Sequence, residues 1–383
     1  MAEALDTGGA VPTKVWCGAG SLPAVWDELA ALGCSRPLIV CGQTVRLAGP
    51  VEALLEVGPD VEVACYDQVE PDPSEQTIRE AGALARQEGV DAVIGLGGGS
   101  SMDAAKAIAV EALEEGWIAR QEAAGQPTQL DRALPIIAVP TTAGTASEVT
   151  PFSVITFPAV KRKLVLNHPD LYPKVAVLDP TLLATAPKVA RMAAGLDALT
   201  HAVESYVSKQ ATEQTREHAL QAIRLIAQHL RAAVADGEDV PAQDGMQRAA
   251  TIAGLAFSHS RLGVVHALAL PLSAHFGVPH GVANAILLPH GMDYNVPAAP
   301  DDFRLMGGIL AGRQERAEAP EAAPEAVRSL AAHCGAPPRM RDAGVEQEAI
   351  PRMAEDAMQS AHIPVNPREV TLEDAVGLYH QAF

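Results

Sequence analysis

The sequence lacks several features that mark whole classes of protein. No apolar run approaches the roughly 18 residues that a membrane-spanning helix needs, so we expect no membrane span. The N-terminus has no basic stretch leading into an apolar one, so we expect no signal peptide. Basic residues are few: 28 Lys and Arg stand against 47 Asp and Glu, a net charge of −19. This charge argues against binding to nucleic acid or to an anionic membrane.

Cysteine is also scarce and follows no metal-binding or disulfide pattern. The five cysteines are an odd number, and none forms a Cys-x-x-Cys pair. Most lie in apolar or strand-like segments, which predicts reduced and mostly buried thiols in a cytoplasmic enzyme. They are Cys17, Cys34, Cys41, Cys65 and Cys334.

The 383 residues, 48% of them hydrophobic, are enough for two domains of about 150 residues each. The first half alternates short β-branched runs with helical stretches, which predicts a parallel, doubly wound sheet. From Pro187 onward, long Ala- and Leu-rich helical patterns take over. We therefore predict an α/β domain with a Rossmann-like sheet over residues 1–187 and an all-helical domain over residues 188–383.

Individual elements follow from the same patterns. Strands are predicted at 15–17 (an edge strand), 37–41, 61–66, 92–96, 135–139 and 175–178, with a hairpin formed by 152–157 and 163–167. Ser21 and Ser74 are predicted helix caps, and Gly49-Pro50 is expected to interrupt a helix over 44–57. Helices are predicted at 188–208, 211–236, 244–259, 264–275, 301–312, 320–334, 347–361 and 371–382.

A glycine-rich segment follows the predicted strand at 92–96. Glycines let backbone N–H groups approach a phosphate closely, and a helix N-terminus adds free donors and a positive dipole end. The segment does not match G-x-G-x-x-G, and a glycine run after a strand is as often a plain tight turn. Its candidate cofactor-binding residues are Gly97, Gly98, Gly99, Ser100 and Asp103.

Hydroxyl side chains cluster after the next predicted strand, at Thr141, Thr142, Thr145 and Ser147. They suit phosphate or ribose recognition, and they suit equally an ordinary turn built on Ser and Thr hydroxyls. Two such loops at the carboxyl edge of a parallel sheet favour a bound dinucleotide. Lys163 could supply a positive charge there, or it could be a solvated turn lysine.

Four potential metal ligands lie between residues 197 and 280. Asp197 and His201 are four residues apart, so a helix places them on one face. His266 and His280 follow in apolar segments, where an unsatisfied polar group is costly. One carboxylate and three imidazoles suit a divalent metal such as Fe²⁺ or Zn²⁺, although each motif alone is usually structural. No cysteine lies near them, which argues against a closed structural zinc site.

Several motifs, in order along nearly the whole chain, resemble the iron-containing (group III) alcohol dehydrogenases. They are Trp-Cys-Gly-Ala-Gly-Ser-Leu at 16–22, Val-Glu-Pro-Asp-Pro-Ser at 69–74, Gly-Gly-Gly-Ser-Ser-Met-Asp-Ala-Ala-Lys at 97–106, Pro-Thr-Thr-Ala-Gly-Thr-Ala-Ser-Glu-Val-Thr at 140–150, Gly-Leu-Asp-Ala-Leu-Thr-His-Ala-Val-Glu at 195–204, Pro-His-Gly-Val-Ala-Asn-Ala-Ile-Leu-Leu-Pro-His at 279–290 and Asn-Pro-Arg-Glu-Val-Thr-Leu-Glu-Asp at 366–374.

The resemblance implies a dehydroquinate synthase-like fold and an alcohol dehydrogenase or aldehyde reductase that uses NAD or NADP. It places the metal ligands on Asp197, His201, His266 and His280, with Fe²⁺ expected and Zn²⁺ or Mn²⁺ permitted by the ligand types. It places the pyrophosphate loop on 97–100, cofactor contacts on Thr141, Thr142 and Thr145, and a lysine near the nicotinamide on Lys163. It also implies a small alcohol or aldehyde substrate and a homodimer.

Three positions depart from the family pattern. Leu270 stands where many members have a proton-relaying histidine. His275 is either a substitute for that relay or a structural or pocket-lining histidine. Gly42 stands where NAD-specific members place an aspartate, which leaves NADP possible. Phe152, with Phe257 and Leu270, suggests an apolar pocket and a preference for a medium-sized or apolar aldehyde or alcohol over a polyol; the alternative is that these are packing residues at the domain interface.

Three alternatives remain. A maleylacetate reductase would have a similar fold, but four intact metal ligands argue against it. A metal-dependent sugar-phosphate cyclase of the dehydroquinate synthase type would need a basic cluster beside the metal, and the arginines and lysine of 195–290 are spaced like solvated helix faces. A non-enzymatic protein that retains the fold is the least favoured, because it would be expected to lose the metal ligands.

Overall fold

The computed structural model describes residues 2–59, 61–124, 130, 132–160 and 162–383. The chain divides into two compact units, Met1–Ala186 and Pro187–Phe383. Their assignment to dinucleotide binding and metal binding stays a prediction. In the described part of the chain, no helix is long and apolar enough to cross a membrane.

The first unit contains a mostly parallel sheet, which confirms the predicted α/β class. Seven strands lie in the order β1-β2-β9-β6-β5-β3-β4 in the described residues, and β1 alone of these runs antiparallel to its neighbour. The strands β7 and β8 form the predicted antiparallel hairpin. The bounds are β1 Glu3–Leu5, β2 Lys14–Cys17, β3 Pro37–Val40, β4 Ala64–Tyr66, β5 Ala92–Gly97, β6 Ile136–Pro140, β7 Phe152–Phe157, β8 Arg162–Asn167 and β9 Val175–Leu178. Lys161 of the predicted hairpin turn lies outside the described residues.

Two of the smaller predictions in this unit were wrong. The strand at 15–17 is not an edge strand, because β1 pairs with its outer side. Ser21 does not cap a helix, since the helix begins three residues later, after Pro23. Ser74 does cap its helix, by accepting a hydrogen bond from the Thr77 N–H. The helices are α1 Ala24–Ala31, α2 Gln43–Ala48, α3 Pro50–Glu56, α4 Glu75–Glu88, α5 Gly99–Glu111 and α6 Trp117–Ala124.

Helix α5 packs closely against strand β5, and this contact sets the position of the glycine loop. A Cβ at Gly95 would lie 2.9 Å from the Ala105 Cβ and 3.1 Å from the Met102 Cα. Strand β5 is buried along its whole length, and α5 is buried on nearly every side. Small residues on both elements therefore allow the close packing that carries the chain from β5 through Gly97 into α5.

The second unit is helical, as predicted. Its helices are α7 Lys188–Val207, α8 Glu213–Ala235, α9 Val240–Ser260, α10 Val264–Phe276, α11 His280–Asn295, α12 Pro300–Leu310, α13 Ala322–Cys334, α14 Ile350–Ala357 and α15 Leu372–Ala382. Helix α11 was not predicted. It contains Pro289, which ordinarily breaks a helix, and it is buried on most sides, so it shows no amphipathic period.

Candidate metal centre and nucleotide loops

Three helices of the second unit bring the four predicted metal ligands together. Asp197 and His201 lie one turn apart on α7, as their spacing predicts. His266 lies in the first turn of α10 and His280 is the first residue of α11. The sequence spacing of these last two residues carried no information about their meeting, because it depends on how α7, α10 and α11 pack.

The Asp197 carboxylate lies at the centre of the group. Its Oδ1 is 3.7 Å from His266 Nε2 and 3.8 Å from His280 Nε2, and its Oδ2 is 4.0 Å from His201 Nδ1. Asp197, His201 and His266 each offer a ligand atom within 4.8 Å of the others. These separations suit an ion placed between the atoms with bonds of about 2.0–2.2 Å.

The aromatic rings hold one another in place around this point. The rings of His201 and His266 stack with centroids 4.6 Å apart, and Phe257 stacks on His201 at 4.4 Å. Asp197, His201 and His266 are buried, whereas the His280 side chain is 36% exposed. A small molecule would therefore approach the group on the side of His280.

The charges of the cluster are strongly coupled. Burial opposes the charge on Asp197, but the three imidazoles outweigh it and lower the pKa of that carboxyl well below its usual range. Burial dominates at His201 and lowers its pKa to about 3, so its ring is neutral. At His266, burial also opposes the charge, but Asp197 and Glu204 outweigh it and raise the pKa to about 9.

Glu204, one further turn along α7, orients His266. Its buried carboxylate accepts hydrogen bonds from the backbone N–H of Val265 at 2.6 Å and from His266 Nδ1 at 2.7 Å. Because Nδ1 faces Glu204, Nε2 is the ring nitrogen that faces Asp197. Sequence analysis missed Glu204, although a glutamate three residues after His201 in an apolar helix was a usable signal.

Asn284, one turn after His280 on α11, was also missed. Its Nδ2 lies 2.6 Å from Asp197 Oδ1 and 3.1 Å from both His266 Nε2 and His280 Nε2. Among the described residues, its buried Oδ1 and the buried Nδ1 of His201 have no hydrogen-bond partner. The cluster thus holds more lone pairs than donors, which fits a divalent cation.

Two further histidines have neighbours that the sequence did not predict. His275, the predicted substitute for a relay at Leu270, has its Nε2 2.7 Å from Asp356 Oδ2. His362 instead meets the metal cluster, with its ring at an edge-to-face centroid distance of 6.3 Å from the ring of His266. Burial, with the nearby charge of His266, lowers the pKa of His362 to about 4. No sequence motif pointed to His362.

In the first unit, the glycine and threonine loops lie side by side, as predicted. The Thr141 N–H donates to the Gly97 carbonyl at 2.9 Å. A Cβ at Gly99 would lie 2.7 Å from the Thr145 Cγ2, so only glycine allows this approach. Gly97 also has a φ of 148°, which favours glycine. Within the described residues, no side chain caps α5, so its N-terminal N–H groups remain available to a phosphate.

Gly42 lies at the start of α2, after β3, and close packing favours a glycine at this position. A Cβ there would lie 2.8 Å from the Val69 carbonyl oxygen. Any other residue would therefore require a backbone shift. A Cβ on Gly97 would lie 3.5 Å from the Val45 Cγ2 of α2, so the segment after Gly42 lies beside the glycine loop.

The remaining predicted cofactor residues have protein partners. Asp103 accepts hydrogen bonds from Ser147 Oγ at 2.6 Å and from the Val154 N–H at 2.9 Å. Lys163 pairs with Asp72 at 2.8 Å, and the Asp72 N–H bonds Ser100 Oγ at 3.2 Å. These contacts account for Asp103 and Ser147 as internal supports of the loop, while direct cofactor contact by any of these residues stays a prediction.

Comparisons with known proteins give family matches over most of the chain. The family described as "Iron-containing alcohol dehydrogenase" matches residues 12–180, and "Fe-containing alcohol dehydrogenase family, C-terminal" matches residues 191–383. A 1,3-propanediol dehydrogenase of Klebsiella pneumoniae is 39% identical over 97% of this chain and 98% of its own. A lactaldehyde reductase of Escherichia coli (strain K12) is 38% identical over 96% and 97%.

Solved structures give the same result. A 1,3-propanediol oxidoreductase covers 100% of both chains with a TM-score of 0.91 at 38% identity. An NADH-dependent butanol dehydrogenase A from Thermotoga maritima covers 97% of both with a TM-score of 0.85 at 29% identity. The family description names iron, and the butanol dehydrogenase is described as NADH-dependent. The chain thus belongs to the iron-containing alcohol dehydrogenase family.

Proposed function

We propose that Asp197, His201, His266 and His280 hold the catalytic metal of an NAD(P)-linked alcohol dehydrogenase or aldehyde reductase, with Fe²⁺ as the native ion. The observation that carries this proposal is the convergence of four ligand side chains from three helices on one point, with lone pairs in excess of donors. The ligand types also permit Zn²⁺ and Mn²⁺.

The metal, when bound, would make the alcohol hydroxyl more acidic or polarise the aldehyde carbonyl, and the nicotinamide would exchange the hydride. The protein holds the ligands for this chemistry. Glu204 fixes the His266 ring through Nδ1. The rings of Phe257 and His266 each stack on the ring of His201.

Leu270 cannot carry a proton, so the hydroxyl proton leaves by water, the cofactor ribose or another side chain. A role for His275 stays a prediction, with Asp356 as its partner.

We propose that the loops at 97–100 and 141–145 bind the cofactor pyrophosphate. Backbone N–H groups at the start of α5 and the hydroxyls of Thr142 and Thr145 support this. Asp103 and Ser147 shape the loop. Lys163, whose ammonium pairs with Asp72, stays a proposed neighbour of the nicotinamide. Gly42 carries no carboxylate to repel a 2′-phosphate, so we expect NADPH to be accepted as well as NADH.

We propose a small alcohol or aldehyde as substrate. The named relatives act on 1,3-propanediol and lactaldehyde, which carry a second oxygen. The competing hypothesis of an apolar preference rested on Phe152, Phe257 and Leu270. Phe257 is now accounted for by its stacking on His201, and the His362 ring adds a polar group beside His266. We therefore favour short substrates with a second oxygen.

The substrate proposal is tested with matched alcohols. Oxidation of propane-1,3-diol and propane-1,2-diol is compared with that of hexanol and benzyl alcohol at the same concentrations. A higher kcat/KM on the diols supports the proposal. A higher value on hexanol or benzyl alcohol restores the apolar hypothesis and overturns this one.

The metal and cofactor proposals are tested on protein purified without chelator. Its metal content is measured together with NADH and NADPH oxidation against a panel of aldehydes, for the wild type and for His266→Ala. We expect about one metal per chain with turnover, and loss of both in His266→Ala. A metal-free protein that still reduces aldehydes would contradict the metal assignment. Bound metal without hydride transfer would favour the cyclase alternative.

We also propose a cytoplasmic homodimer. The cysteines, free in the structure, suit a reducing compartment. Light scattering coupled to gel filtration gives the mass directly, and a monomer at micromolar concentration would contradict the dimer.

A further inference from the structure

Asn284 has a position that the four-ligand description does not explain. It is fully buried on α11, and its amide nitrogen contacts three of the four proposed ligands at once. Those three ligand atoms come from three different helices. A carboxamide nitrogen has only two N–H groups and cannot donate linearly to all three atoms. Hydrogen bonding alone therefore does not explain why the amide lies against all three ligand atoms. The three atoms also surround the point where the proposed ion would bind.

The other end of the same side chain is unsatisfied. Among the described residues, Asn284 Oδ1 is buried and has no hydrogen-bond partner. A buried acceptor without a partner costs about 1–3 kcal/mol, and such groups in native proteins usually mark a function or a bound ion. The amide nitrogen of Asn284 thus donates to the ligand atoms, while its amide oxygen accepts no hydrogen bond from the described residues.

A cation between the ligands would reverse which amide atom of Asn284 faces them. It would take up the lone pairs of Asp197 Oδ1, His266 Nε2 and His280 Nε2 that the amide nitrogen now contacts. It would repel the partial positive charge of an N–H and attract the partial negative charge of a carbonyl oxygen. A half-turn about the Asn284 Cβ–Cγ bond exchanges the oxygen and the nitrogen without moving α11.

We propose that Asn284 is a fifth donor of the metal centre and presents its carboxamide oxygen to the ion. This inference rests on the proposed metal site. The oxygen would take the place now held by Nδ2, which lies at 2.6–3.1 Å from three ligand atoms. Neighbouring ligands of an ion with bonds of about 2.1 Å are separated by similar distances.

A fifth, oxygen donor has a consequence for which metal binds. Structural Zn²⁺ sites are almost always tetrahedral, whereas oxygen donors and higher coordination suit harder ions. Asn284 would therefore favour Fe²⁺ over Zn²⁺ at this site. Removing it should weaken the binding of Fe²⁺ more than that of Zn²⁺.

The test uses the full-length, metal-loaded protein and three variants. Asn284→Ala removes both amide atoms, and Asn284→Asp keeps an oxygen donor but loses the N–H groups. Gln243→Ala is the matched control, because Gln243 is also a buried amide of the same unit and donates to the carbonyls of Ala233 and Asp236. Affinities for Fe²⁺ and Zn²⁺ are measured by chelator competition, and the visible spectrum is recorded with Co²⁺.

We expect Asn284→Ala to lose at least about 10-fold in Fe²⁺ affinity, the lower limit seen for groups around a metal. Its Co²⁺ bands should intensify as the coordination number falls. Asn284→Asp and Gln243→Ala should keep Fe²⁺ affinity close to that of the wild type. If Asn284→Asp binds Fe²⁺ as weakly as Asn284→Ala, the N–H groups matter and the proposal is wrong.

An unchanged affinity and Co²⁺ spectrum in Asn284→Ala would also overturn the proposal. Thermal unfolding of each variant shows whether it folds, and Asn284→Asp decides the matter if Asn284→Ala does not. The wild type and His266→Ala separate this inference from the proposed function. If the wild type binds metal and His266→Ala does not, a negative result at Asn284 removes only the fifth donor.

Discussion

Each unit of the protein buries a cluster of charged and polar groups, and the two clusters differ in how well they are satisfied. In the first unit, the buried Lys106 ammonium donates to Ser147 Oγ and to the Phe152 carbonyl, both at 2.7 Å, and to the Thr150 carbonyl at 3.0 Å. Asp103 in turn accepts from Ser147 and from the Val154 N–H. Donors and acceptors are matched, and the network ties α5 to the start of β7.

The cluster of the second unit is not matched. Its carboxylates and imidazoles supply acceptors, and in the described part of the chain Asn284 Oδ1 and His201 Nδ1 find no partner. Burial of charge is common to both clusters, so burial alone does not identify a functional site. The excess of acceptors around Asp197 does, because a divalent cation would satisfy several of them at once.

The largest effect is expected at the centre of the unmatched cluster. Asp197→Asn removes the negative charge that all three imidazoles face, so the metal should be lost. A catalytic metal contributes several kcal/mol to the transition state, and about 4 kcal/mol corresponds to about 1000-fold in rate. Metal analysis and kcat/KM check this. Full activity in metal-free Asp197→Asn would contradict the assignment.

The matched cluster should respond through stability. Lys106→Met leaves the half-buried Asp103 without its cation, and breaking one partner of a buried pair costs about 3–5 kcal/mol. The hydrogen bonds from Ser147 and Val154 place the expected cost near the lower end. Urea unfolding measures it. The double variant Asp103→Leu with Lys106→Met should recover much of the loss, and a double variant no more stable than the single one would argue against charge imbalance as the cause.

Glu204→Gln should weaken metal binding without removing a ligand. The glutamine keeps the shape but loses the charge that orients His266 through Nδ1, and such partners are worth about 10–100-fold in metal affinity. Chelator competition measures the loss. Glu204→Asp, which keeps the charge on a shorter side chain, is the matched control and should bind metal more tightly than Glu204→Gln.

The smallest effect is that of a change of one pH unit on metal binding to protein stripped of its metal. His266, with its pKa raised to about 9, must lose a proton before Nε2 can bind an ion, so affinity should rise about tenfold per pH unit up to about pH 9. The same raised pKa stabilises the stripped fold fully below pH 6.5, and this contribution is lost as the pH approaches 9. Affinities measured from pH 6.5 to 9 check the slope, which should flatten in Glu204→Gln.

Local pattern was enough for much of this protein. The β-α alternation predicted the parallel sheet, and the Ala- and Leu-rich periods predicted most helices of the second unit. The i, i+4 spacing of Asp197 and His201 predicted their shared face, since one turn of helix depends only on nearby residues. Helix α11 was not predicted, because a helix buried on most sides shows no apolar stripe and because Pro289 suggested a helix break.

Short stretches of the chain were enough to infer the ligand types, the loop chemistry and the class of fold, because each depends on residues that are near one another in the sequence. Which side chains meet depends on how the helices and strands pack. Helix packing brings Glu204, Asn284 and His362 to the proposed ligands. In the first unit, Asp103 and Ser147 form a hydrogen-bond network with Lys106. Such contacts join residues tens of positions apart, and helix packing, which no short sequence window contains, sets them.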